Sequence, residues 1–333
     1  MTKETPMKRR TLLIASLGLG SALLTRAATA TRPDLHWRTR PLLALGTTVR
    51  LRAAHADAAQ ADRALDAATA TLREVEASMS LFRDDSELSR LNRDGRLRAP
   101  SARLLTVLRE AQLVSERSGG AFDVTVQPLW GAYDRARQAG RLPTDAERIE
   151  AQARTGWQQI RIGRDRVRFM RSGMAVTLNG IAQGYAADAV RATLQAHGVE
   201  HALIDTGEFG AIGRNERDEP WNVGIEDPHD STRLLTALAL NGRALATSAD
   251  HRSSFSTDRR HHHIIDPATG DSPPALSSVT VVADTAMRAD ALTKVMFMAR
   301  PDRIAALARQ WGVGVLWVDK QGRRGATPGL LPA

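Results

Sequence analysis

Cysteine is absent from this chain of 333 residues. That excludes disulfides, thiolate metal sites, a cysteine nucleophile and a lipid-modified cysteine at a signal cleavage site. Lysine is nearly absent as well. It occurs only at Lys3, Lys8, Lys294 and Lys320, so arginine carries almost all of the positive charge. Codon bias in a GC-rich genome accounts for the scarcity and makes the two lysines of the C-terminal third conspicuous. Aromatic residues make up 4% of the chain, and the basic residues are seldom interleaved with them. The net charge of +9 is therefore not the footprint of a nucleic-acid binder. There is no internal repeat and no low-complexity linker. The apolar run from Leu12 to Leu24 is too short, and too rich in Gly and Ser, for a good membrane span.

What is present begins with an address. Lys8-Arg9-Arg10 precedes that apolar run, and Ala28-Thr29-Ala30 offers a small-x-small cleavage site. This three-part layout predicts an export signal over residues 1–30, periplasmic residence and a mature domain over 31–333 without a lipid anchor. The arginine pair points to the twin-arginine route, although a Sec signal with two basic residues has the same layout.

In the mature chain, hydrophobic content of 42% overall is enough for one large domain or two modest ones. Leu42 to Arg52 reads as a strand interrupted at Gly46-Thr47-Thr48. Ala61, Leu65, Ala68, Leu72, Val75 and Met79 recur every three or four residues, as one face of a helix does. A second helix runs from about Ser101 to Arg117 and stops at Gly119-Gly120. Phe122 to Val126 reads as a strand, and Trp130 to Gln138 and Thr144 to Arg154 as helices. Beyond Trp157 the pattern predicts short strands near 158–162, 166–170, 174–178, 201–206, 221–226, 234–240, 244–248 and Ser277 to Val282. Helices are expected at Gln183 to His197, Thr285 to Ala299 and Pro301 to Gln310, with Gly314 to Asp319 as a closing strand. Helices and strands mix without strict alternation, which predicts an α+β fold.

Three constellations bear on chemistry. Gly180-Ile181-Ala182-Gln183-Gly184 lies where a strand gives way to a helix, a place that attracts phosphate. A tight turn would use two glycines equally well. His261-His262-His263 precedes Asp266-Pro267 and Gly270. A histidine there can take a hydroxyl proton near neutral pH, while a histidine triplet can also bind metal or be merely solvated. Asp290 and Lys294 share one helix face at i, i+4, the spacing of an ordinary surface ion pair. Thr247-Ser248-Ala249-Asp250 is a hydroxyl-rich turn after a strand.

Set in order, these pieces resemble the ApbE-type FAD:protein FMN transferases from about residue 42 to 320. The residues that carry the resemblance are Leu45-Gly46-Thr47, Met79-Ser80-Leu81-Phe82, Ser86-Glu87-Leu88 with Asn92, Gly120 to Trp130, Gly180 to Asp188, Trp221 to Pro228, Thr247-Ser248, His263 to Gly270 and Ser278 to Val282. The resemblance implies an N-terminal helix-rich part and a C-terminal sheet-rich part around a flavin cleft. It implies that FAD is the substrate, that a Thr or Ser hydroxyl of a target protein attacks the FMN-side phosphorus, and that AMP leaves. Met79, Phe82, Asp123, Gly180, Ala182, Gly184, Thr247, Ser248 and His263 would then bind FAD, with Phe82 against the flavin. His263 would be the general base, and Ala182 and Asp290 would help hold a Mg²⁺ ion. The export signal, Gly180 to Gly184 and Thr206-Gly207-Glu208 are similar to the NosX-like branch, whose targets are membrane-bound electron-transfer proteins.

The departures from the family pattern are specific. Lys294 stands at the expected Thr metal ligand, with Thr293 one residue early. Gln183 replaces a Lys, Thr177 an acid, Ala249 a Gly, and Gly207-Glu208 a Gly-Gly pair. An ammonium at position 294 would repel Mg²⁺, so the expectation is FAD binding that needs no metal. Two further readings use the same residues: an FAD pyrophosphatase, in which water replaces the target hydroxyl, and a non-catalytic FAD-binding carrier or assembly factor.

Overall fold

The computed structural model describes residues 34–330. The predicted signal segment lies outside the described residues. In chain order the elements are β1 (His36–Ala44), β2 (Thr47–His55), α1 (Ala58–Met79), α2 (Glu87–Asp94), β3 (Arg96–Arg98), α3 (Ala102–Arg117), α4 (Gln127–Gln138) and α5 (Asp145–Gln152). Then follow β4 (Ile160–Ile162), β5 (Arg166–Phe169), α6 (Ala182–Ala196), β6 (His201–Asp205), β7 (Phe209–Ile212), β8 (Asn222–Asp227), β9 (Asp230–Ala239) and β10 (Ala244–Ala249). The chain closes with β11 (Leu276–Ala283), α7 (Ala286–Phe297), α8 (Pro301–Trp311), β12 (Gly314–Asp319) and β13 (Arg324–Ala326). The class is α+β. An eight-stranded antiparallel sheet runs β1-β2-β6-β7-β10-β11-β12-β13, beside a three-stranded sheet β3-β5-β4 and the hairpin β8-β9.

The core lies on both faces of the large sheet. All eight residues of β11 are buried. Because side chains alternate across a strand, Val279 and Val281 join the core under α7, whereas Val282, with Leu245 of β10, packs with Trp221, Val223 and Leu238 of the β8–β9 hairpin. Helix α6 lies between α1 and α7, and α7 rests on β10 and β11. The apolar stripe of α1 is buried as its periodicity predicts.

Three local expectations are corrected. Leu42 to Arg52 is not one interrupted strand but a hairpin, Ala44 pairing with Thr47 across a two-residue turn. Leu45 and Gly46 both take positive φ, +53° and +74°, the handedness that two-residue hairpin turns require. Residues 122–126 form a helical turn rather than a strand, because Asp123 caps it by accepting from the Thr125 backbone N–H at 2.8 Å. Residues 174–178 are extended but sit in no ladder. The side chain of Asn92 takes the place of a neighbouring strand, donating to the Val176 carbonyl and accepting from its N–H, each at 2.8 Å. The N-terminal β1–β2 hairpin also joins the large sheet, which is therefore not confined to the C-terminal half.

Candidate functional site

Five segments converge at one end of α6: the turn leading into the helix, the β6–β7 turn, the end of β10, the middle of α7 and the loop carrying His263. Helix α7 is fixed first. Its N-terminal backbone N–H groups of Ala286 and Met287 donate to the two oxygens of Asp188 on α6, each at 2.9 Å. Gly184 then explains itself. A Cβ there would come within 2.2 Å of the Ala286 carbonyl oxygen, so only glycine lets α6 and α7 meet. Its N–H donates to Asp290 Oδ2 at 3.1 Å.

Asp290 is fully buried. Its other oxygen, Oδ1, receives the Lys294 ammonium at 2.5 Å, and Nζ also donates to the Asp290 carbonyl at 3.2 Å. The aliphatic end of Lys294 lies along Gly180, where a Cβ would meet Cε at 3.0 Å. What the i, i+4 spacing left as an ordinary surface pair is a buried one. Of the two glycines of the expected phosphate cradle, Gly184 is thus required by a helix contact, and Gly180 gives room to a lysine. Most of the nearby N–H groups are also committed, those of Ile181 and Ala182 to the Leu178 carbonyl.

A third ionisable group in this cluster entered the sequence reading only as a departure from the family pattern. Glu208, in the β6–β7 turn, is buried and accepts from the Thr247 N–H at 3.1 Å. Burial pushes its carboxyl well above the usual range, the Asp290 carboxylate pushes the same way, and Lys294 opposes both. Position 208 departs from the resemblance just as position 294 does, and in space the two departures face each other: an added carboxylate beside an added ammonium.

Hydroxyls complete the floor. Ser248 and Thr293 share a hydrogen bond of 2.7 Å, and Thr293 donates to the Asp290 carbonyl at 2.7 Å. Thr247 pairs with Thr280 at 2.9 Å. Thr293 therefore faces β10 rather than the Asp290 carboxylate. The residues present do not fit a divalent cation at Asp290. One carboxylate oxygen holds an ammonium and the other a backbone N–H. Among the described residues, no group of three or more His, Asp or Glu side chains is arranged to hold a metal ion.

The histidine triplet divides three ways, each ring meeting different partners. His263 is half-buried at the cluster, with Nδ1 at 2.9 Å from the Ser253 carbonyl. That carbonyl can only accept, so Nδ1 carries the proton and Nε2 keeps its lone pair. Burial, aided by the charge of Lys294, holds the imidazolium form below the ordinary histidine range. His262 is fully buried, edge-on to Phe297 at 5.6 Å, and burial lowers it to about 3. His261 belongs elsewhere, bonded to Asp271 at 2.7 Å and stacked near Tyr133.

The N-terminal candidates make contacts of their own. Phe82 is 75% exposed and its ring lies on the hairpin turn, within 2.7 Å of where a Gly46 Cβ would be. The motifs at Leu45-Gly46-Thr47 and Met79 to Phe82 thus meet in space. Met79 is in the core. Asp123 is buried with both oxygens engaged, Oδ1 by Thr125 and Oδ2 by the Trp157 N–H at 3.0 Å. Its burial raises the carboxyl, and these hydrogen bonds oppose the shift.

With this geometry in view, comparison with known proteins is unambiguous about kinship. A model described as the ApbE family matches residues 45–317. The FAD:protein FMN transferase of Vibrio cholerae is 36% identical over 258 residues, spanning 75% of this chain and 77% of that one. The protein of the same name from Treponema pallidum is 32% identical over 324 residues, 88% of this chain and 87% of that one. Among solved structures, the ApbE protein of Thermotoga maritima superposes with a TM-score of 0.80 at 26% identity, covering 88% of this chain and 97% of that one.

Proposed function

The chain belongs to the ApbE family, and on that premise we propose that it transfers FMN from FAD to a hydroxyl of a target protein, releasing AMP. The observation that carries this is His263. Its Nδ1 is anchored on a carbonyl, its Nε2 is free, and it sits beside the Lys294 ammonium. In the transfer, the target hydroxyl oxygen forms a bond to the phosphorus on the FMN side. The bond from that phosphorus to the bridging oxygen breaks, and AMP leaves with the electron pair. The hydroxyl proton passes to His263 Nε2. Lys294 spends two donors on Asp290, and its third N–H is left for a phosphate oxygen. It supplies positive charge where the resemblance implies Mg²⁺. Asp290 balances that charge until the substrate's phosphates arrive.

The test is incubation with FAD and a threonine-bearing acceptor protein, following AMP and the acceptor's mass together. AMP with an FMN-sized mass increase is the expected result. AMP with an unmodified acceptor would identify a pyrophosphatase, and bound FAD without AMP a carrier.

The acceptor is a flavin-accepting electron-transfer protein. Its attachment to a membrane is part of the proposal, supported by the similarity of Gly180 to Gly184 and Thr206 to Glu208 to the branch that serves such partners. Action in the periplasm is likewise proposed, on the layout of Lys8-Arg9-Arg10, the apolar run and Ala28-Thr29-Ala30. Replacing Arg9 and Arg10 together by lysine is expected to abolish export. Unchanged export of that double variant would assign the chain to the Sec route.

A further inference from the structure

The three-stranded sheet carries an arrangement that works against its own stability. Arg96 of β3, Arg168 of β5 and Arg161 of β4 are directly opposite one another, a row of three guanidinium groups across all three strands. Arg98 and Arg166 form the next like-charged pair. All five are exposed, while Leu97 and Val167 of the row between them are buried. Like charges directly opposite in a sheet repel. Among the described residues, the side chains of Arg96, Arg98, Arg161 and Arg168 have no ion-pair or hydrogen-bond partner, and that of Arg166 has only the solvated Asp165 at 3.3 Å. The face borders a recess of about 970 Å³ that Arg171 also lines. Arginine scarcely competes with lysine in this chain, so its choice over lysine says nothing. The clustering on one sheet face, with only Arg166 paired to an acid, is the observation.

We propose that this arginine face docks an acidic segment of the flavin-accepting protein, an assignment that rests on the transfer reading above. Charge complementarity selects an anionic partner, and the geometry favours an extended polypeptide. Arg96 and Arg98, like Arg166 and Arg168, stand two residues apart along their strands. That places guanidinium groups about 7 Å apart, the spacing of alternate side chains in an extended chain. The apolar side chains of these strands point inward, and Met170 is the exposed large hydrophobic residue beside them, which is little to offer a bilayer. Phe169, paired with Ile160 in the inward-facing register, is a lone, partly buried ring packed against the core rather than a row on which successive nucleic-acid bases would stack. The face is also within reach of the chemistry. Gly180 lies nine positions after Arg171, at most about 30 Å of chain, and the segment between them is held by Asn92.

The experiment compares the whole protein with the variant Arg96→Ser/Arg161→Ser/Arg168→Ser. The probe is a fluorescent peptide of alternating Glu and Ser, the control its Gln counterpart. Fluorescence anisotropy should show wild-type binding to the Glu peptide alone, weakening as salt rises, and a loss of about tenfold or more in the variant. FAD affinity should be unchanged, and the melting temperature equal or higher because repulsion is relieved. Equal binding by the variant would overturn the assignment. So would tighter wild-type capture of phosphatidylglycerol vesicles or of a single-stranded RNA, lost in the variant. A variant that loses both peptide binding and melting temperature would mean that these arginines hold the fold. Failure of the transfer reading appears separately, as a wild type that, incubated with FAD and the acceptor protein, leaves the acceptor's mass unchanged.

Discussion

His263→Ala is expected to slow AMP release from FAD by about 10²–10⁴-fold, the usual cost of removing a general base, with FAD affinity nearly intact. The argument is geometric first. Ser253 fixes the ring through Nδ1, which leaves Nε2 as the one lone pair aimed away from the loop. The electrostatics agree. Burial and Lys294 lower the pKa of His263 from its ordinary value, so the imidazole is neutral and competent at neutral pH. For a base in this state, activity rises with pH through the folded pKa and is already on its plateau near neutrality. It falls only on acidification below the ordinary histidine range. His261→Ala should leave the rate nearly unchanged, since that ring is bonded to Asp271. His262→Ala should act on stability instead, by opening a space against Phe297. Steady-state AMP release across pH, with FAD affinity measured in parallel, checks all three. Equal losses at the three positions would refute the assignment of the base to His263.

The second large effect is at Lys294. Lys294→Met removes the cation from a fully buried aspartate and leaves Asp290 facing Glu208. Breaking a buried pair by removing one partner costs about 3–5 kcal/mol, and transfer should fail with it. The pH dependence has a definite sign. Glu208 titrates above its unfolded value in the wild type because burial and Asp290 disfavour its charge. Between those two values the folded state binds the extra proton, so stability falls as pH rises through that window. Removing Lys294, which opposes this shift, widens the window. The deficit of Lys294→Met should therefore be larger at alkaline than at mildly acidic pH, as denaturant melts would show. The metal question is answered by the same position. Wild-type AMP release should be insensitive to EDTA, and Lys294→Thr should acquire a response to Mg²⁺. Fast wild-type turnover that EDTA abolishes would end the idea that an ammonium takes the ion's place.

The sequence by itself determined the elements whose causes are local. The stripe from Ala61 to Met79 is buried because a period near 3.6 puts it on one face. The helix after Ser101 begins at a hydroxyl cap, and Thr144 begins another through its reciprocal bonds with Glu147. The ordered motifs from Leu45 to Val282 likewise carried the family, since each depends on residue identity rather than on distant contacts. What failed locally failed for tertiary reasons. Nothing near residues 174–178 announces that Asn92 will stand in for a neighbouring strand.

The candidate site divides along the same line. That His263 and Asp290 are candidates for chemistry was readable from motif and residue type. That the Asp290–Lys294 pair is buried was not, because i, i+4 spacing is the same on a wet helix face and a dry one. Glu208 lies 82 positions before Asp290 in the chain and meets it only because the β6–β7 turn and α7 pack together at the start of α6. The arginine row was invisible for the same reason: residues 96, 161 and 168 become neighbours only once strand register aligns them. Local order is encoded in short-range pattern, whereas burial and charge coupling are set by which distant segments the core brings together.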